Sequence, residues 1–151
     1  MAKKFKFGLE ALKKYRDQRL LLAKRDLAEV NARYNELLNK IESCDGEAHQ
    51  SLGDALKISS SAAFMLMGAS LHGAAMQMKR ALGGELETVQ KELERHREWV
   101  THLSRELKAV EKLEEKQRER HDKEVLTKEK QAMDSWVAER WTRSPMSRKQ
   151  L

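Results

Sequence analysis

From Leu20 onward the apolar residues return at alternating spacings of three and four: Leu20, Ala23, Leu27, Val30, Tyr34, Leu37 and Ile41. The positions between them are mostly polar or charged. This alternation keeps one apolar seam on a slightly underwound helix, the pattern of a heptad coiled coil. Leu9 and Leu12 join the stripe after a four-residue stutter. Past Ile41 the stripe thins through Cys44, Ala48, Ala55 and Ile58, around Gly46 and Gly53. Each interior glycine there costs about 1 kcal/mol relative to alanine. A second stripe runs Leu82, Leu86, Val89, Leu93, His96, Val100, Leu103, Leu107, Val110 and Leu113, with Gly83 and Gly84 near its start.

Two such stripes in one chain predict an all-α fold, a long two-helix antiparallel coiled-coil hairpin. Ser59-Ser60-Ser61 lies between the stripes, and serine caps helix N-termini. The expected organisation is one coiled-coil domain over 1–142: helix one about 7–58, a turn about 58–62 and helix two about 62–141. The basic tail 143–151 is expected to be disordered. A turn near residue 60 sets Leu20 against Val100, Leu27 against Leu93, Val30 against Val89 and Tyr34 against Leu86. The predicted core is therefore Leu20, Leu27, Val30, Tyr34 and Leu37 from helix one. Leu86, Val89, Leu93, Val100, Leu103, Leu107 and Val110 supply it from helix two. A turn at Ser43-Cys44-Asp45-Gly46 has stronger turn chemistry, but it leaves Val100 to Leu113 without a partner.

In this register helix one ends opposite Leu113, and Glu114 to Glu124 then follow without one aliphatic residue. Glu-Lys and Glu-Arg pairs at spacing four support a solvated helix there. Beyond it the apolar residues return. Val125, Met133, Trp136, Val137 and Arg140 fall near one side of a helix, and Trp141 extends that side. Helix one cannot reach them, so these six form the predicted partner-binding face; tryptophan and arginine are common interface anchors.

Charge narrows the function further. With 36% charged and 5% aromatic residues and a net charge of +6, the chain has the composition of a long helix or coiled coil. Its basic excess is interleaved with acids, and no aromatics accompany the basic clusters as base stacking requires; no nucleic-acid partner is expected. Ile58 to Met78 carries no Asp, Glu, Lys or Arg and is long enough to span a bilayer, but its serines, glycines, His72 and Gln77 argue against a transmembrane segment. The N-terminus Met-Ala-Lys-Lys-Phe-Lys lacks the apolar core of a signal peptide, and the lone Cys44 fits a reducing cytoplasm.

Chemistry has little to stand on. The histidines lack metal-ligand spacing: His96 and His102, six apart, face different sides of a helix. Cys44 has no activating neighbour in sequence, so a buried heptad position is expected. No phosphate loop, nucleophile elbow or paired carboxylates occur, so no catalytic residue, cofactor or metal is expected. Met65, Met67, Met76 and Met78 are first read as core filler, with an adaptable recognition patch as the alternative.

The opening Phe5-Lys6-Phe7-Gly8-Leu9-Glu10-Ala11-Leu12 with Arg16, the stretch Val110-Glu111-Lys112-Leu113-Glu114-Glu115-Lys116, and Glu129-Lys130-Gln131-Ala132-Met133-Asp134 resemble the FliJ family. That family is the soluble coiled-coil component of the bacterial flagellar protein-export apparatus. Ser135 departs from the acidic residue frequent after that Asp. The resemblance implies a non-enzymatic stalk or adaptor, akin to the central stalk subunit of rotary ATPases. The partners it implies are the export ATPase ring, its regulator, the membrane export gate and export chaperones. It implies a cytoplasmic protein, peripherally associated with the inner face of the cell membrane; the register that buries both stripes against each other predicts a monomer when isolated. Stalk proteins of injectisome type III secretion would look much the same. The rival readings are a structural coiled coil that homodimerises and a basic coiled coil bound to nucleic acid.

Overall fold

The structure, a computed structural model, describes residues 4–58 and 61–143. The predicted capping serines Ser59 and Ser60, and residues 144–151 of the predicted tail, lie outside the described residues. Two helices, α1 (Glu10–Ile58, 49 residues) and α2 (Ala62–Thr142, 81 residues), pack against each other. No strand occurs among the described residues. The fold is the expected all-α helical hairpin. By contact density the chain divides into two units: residues 18–104, and residues 1–17 together with 105–151.

In the unit of residues 18–104 the heptads form the core. Leu20, Ala23, Val30, Leu37, Cys44 and Ala48 of α1 are buried, as are Val89, Leu93 and Leu103 of α2. Val30, Leu37, Val89 and Leu93 make one cluster, with Leu27, Tyr34, Leu82 and Leu86 packed against it. Burying each large aliphatic contributes about 1.5–3 kcal/mol, so this cluster dominates the pairing. Val100 and His96, also on the stripe, are half-buried. Ion pairs cross the seam at its flanks, Lys79 to Asp45 at 2.6 Å and Arg33 to Glu92 at 3.6 Å. Both are solvated enough to set register more than stability.

Toward the end of α1 small residues replace leucine, and the helices approach more closely. Ala48 is 1% exposed. A Cβ added to Gly68 would lie 2.5 Å from the Cβ of Ala55. His72 Nδ1 lies 3.4 Å from the Ala48 carbonyl oxygen across the interface. Outside this contact the segment is not a packed core. Phe64, Met65, Leu66, Met67 and Met78 are exposed, which corrects the reading of the methionines as filler; of the four only Met76 is half-buried. The reason is geometric. Where glycine and alanine draw the helices together, one narrow stripe closes the interface and longer side chains are turned outward. Ile58 is likewise 68% exposed.

The other unit departs from the expected stripe. α1 begins at Glu10, later than the expected Phe7, and its first α-type bond runs from the Lys13 amide to the Leu9 carbonyl. Residues 4–9 are non-helical. Gly8, poor in helices, precedes the start, and Phe7 is buried. Leu9 and Leu113 are exposed, and Glu114 takes the seam position instead. The heptad alternation explains this: after Leu103, Leu107 and Val110 the next spacing is four, which lands on Glu114 and not Leu113. On α1 the same alternation counted back from Leu20 lands on Arg16 and Lys13. The seam is therefore polar here. Lys13 Nζ donates to Glu114 Oε2 at 2.6 Å, and Arg16 Nη1 to the Glu106 carbonyl at 2.9 Å.

Candidate partner-binding site

The candidate site is the C-terminal part of α2. There the Thr127 and Ser135 hydroxyls donate to the carbonyls of Lys123 and Gln131 one turn back. Val125 is half-buried, and every described residue from Leu126 to Arg143 is exposed. Among these, Met133 is 67%, Trp136 55%, Val137 40% and Trp141 77% exposed. The Arg140 guanidinium lies over the Trp136 ring, 5.0 Å from its centroid. Trp136, Glu139, Arg140 and Arg143 line a shallow cleft.

An indole stacked under a guanidinium is held in one orientation, and the pair offers an apolar plate with charge-assisted donors at its edge. Met133 and Val137, three residues before and one after Trp136, widen the plate along the helix. Val125 stands apart, eight residues before Met133 and partly covered. Leu126, 57% exposed, was absent from the predicted set.

Three groups escaped the sequence reading. Trp99, in the unit of residues 18–104, carries the Arg19 guanidinium at 5.4 Å and stacks on His102 at 5.6 Å. Only packing reveals that pairing, because Arg19 and Trp99 are eighty positions apart in sequence. The polar seam of Lys13, Arg16 and Glu114 was legible in the heptad count. Phe5 is the third: its ring meets the His121 imidazole edge-on at 5.6 Å, with the Arg118 guanidinium 5.6 Å from its centroid. The charged run 114–124 is thus not wholly solvated. Glu114, Gln117 and His121 are half-buried at seam spacing.

Electrostatically, the hydrogen bond to Glu114, with that carboxylate's charge, holds the Lys13 ammonium above the usual lysine range. Among the described residues no group of three His, Cys, Asp or Glu could hold a metal ion, and no helix is long and apolar enough to cross a membrane. A family model, that of the flagellar FliJ protein, matches residues 5–146. No curated protein and no solved structure matches the chain.

Proposed function

The chain belongs to the FliJ family, which makes it a component of the flagellar protein-export apparatus, and from that premise we propose that it serves there as a non-enzymatic stalk and adaptor. In this reading α2 carries the docking face, and Met133, Trp136, Val137, Arg140 and Trp141 bind the export ATPase ring. The regulator of that ring, the export gate and the export chaperones are the further partners, and through them the protein sits at the inner face of the cell membrane. The observation that carries the reading is the exposure of two tryptophans and a methionine on a helix stretch with no covering element among the described residues. Large exposed apolar side chains so grouped usually mark an interaction surface.

The test pairs binding with folding. Trp136→Ala should lower retention on immobilised export ATPase at least tenfold, the scale of a hot-spot tryptophan, and leave the thermal midpoint within about 2 °C of wild type. Normal binding by a protein that no longer melts normally would make Trp136 a structural residue and move the docking face elsewhere.

A further inference from the structure

We infer that residues 4–9 form a detachable strap over α2, whose release lengthens the partner face of that helix from Val125 back to His121 and Arg118. The partner half of this inference rests on the docking face proposed above; the strap itself does not. Four observations within one unit carry it. The segment is non-helical, yet Phe7 is buried and Phe5 half-buried. Phe5 is held by two side-chain contacts, edge-on to His121 and beneath the Arg118 guanidinium. Along α2 the positions that would continue the seam are polar: Glu114, Gln117 and His121. His121 Nδ1 is withdrawn from solvent and makes no hydrogen bond, with the Asp122 carboxylate 3.5 Å away.

The burial of Phe7 holds the strap down, and the other observations point to a weak hold around it. A helix seam filled by Leu or Val would lock its partner, whereas besides Phe7 the strap has one edge-on aromatic contact and one cation–π contact. A solvent-shielded nitrogen that makes no hydrogen bond opposes closure, because opening returns it to water. The backbone of residues 4–7 lies outside any helix, so it can leave α2 without unwinding α1. Local opening of this kind lies well below global unfolding in free energy. When the strap lifts, His121, half-buried one turn before Val125, becomes available to a partner already seated on Met133 and Trp136. Strap and partner then compete for the same surface, and apparent partner affinity falls with the fraction of chains that are open.

The experiment uses the full chain and limited trypsin digestion, reading cleavage after Lys6 against cleavage after Lys13 inside α1. Cleavage after Lys6 should track the open population. Phe5→Ala should speed it about tenfold, and His121→Phe, which adds ring contact and removes the solvent-shielded nitrogen, should slow it several-fold. Neither variant should shift the thermal midpoint by more than about 2 °C. Equal cleavage after Lys6 in all three proteins would overturn the strap, as would a wild-type rate no faster than at Lys13. With the strap established, Phe5→Ala should tighten and His121→Phe weaken binding to immobilised export ATPase. Unchanged binding in both would refute the competition. A failure of Trp136→Ala to weaken binding strikes the docking face alone.

Discussion

At the scale of single residues, Gly68 and Lys13 make opposite points. Glycine at 68 is forced by its neighbour, because a Cβ there would fall 2.5 Å from that of Ala55. At Gly84, by contrast, nothing lies within 4 Å of an added Cβ. Gly84→Ala should therefore stabilise the protein by about 0.5–1 kcal/mol through helix propensity alone. Gly68→Ala gains the same propensity but overpacks a close crossing, which costs typically 1–3 kcal/mol. Its melting temperature should fall, and adding Ala55→Gly should restore it; paired thermal melts in a double-mutant cycle check this. Lys13 acts through charge. Its hydrogen bond to Glu114 raises its pKa, so its contribution is complete below the ordinary lysine value and disappears as pH rises through the raised one. The difference in melting temperature between wild type and Lys13→Met should thus be constant from about pH 7 to 9 and shrink at higher pH. Melts across an alkaline series measure it, and a difference that already vanishes near pH 8 would contradict the sign.

At the scale of elements, the two helices differ in what they are made for. In the unit of residues 18–104 the seam is apolar and its failure should be structural. Leu27→Asp removes about 1.5–3 kcal/mol of burial from the cluster around Val30 and Val89 and adds a carboxylate to a dry seam. The melting temperature should drop by 10 °C or more, on the order expected for a domain of this size. Glu115→Lys, on an exposed position beside the polar seam, should move it by under about 2 °C. Comparable losses in circular-dichroism melts of the two variants would mean that the heptad stripe is not the core. The C-terminal part of α2 is built the other way. Its apolar residues Met133, Trp136, Val137 and Trp141 are exposed, as the docking face proposed for them requires.

For the molecule as a whole, the question is whether the stripes pair within a chain or between chains. Leu27 and Leu93 belong to one cluster of a single chain, so the hairpin reading expects an isolated monomer. With Cys44→Ala as background, Leu27→Cys and Leu93→Cys should cross-link within one chain, at a yield independent of protein concentration. Dimeric products in denaturing gels, with a sedimentation mass that rises with concentration, would favour the homodimeric coiled coil.

What the sequence determined by itself is the class of fold and the seam of its central part. A heptad is a statement about which side of a helix is apolar, and hydrophobic burial enforces it with little help from anything else. The apolar residues past Val125 were legible for the same reason, since residue type and spacing carry them. Tertiary structure decided the rest, where small energies or distant partners govern. The close approach at Gly68 depends on Ala55 of the other helix. The methionines turned outward once alanine and glycine had closed the interface. The seam positions of Lys13 and Glu114 follow from the heptad count, but their pairing across the two helices at 2.6 Å was decided by packing. Phe5 reached His121 by a non-helical path, and helical periodicity describes only chain that is helical.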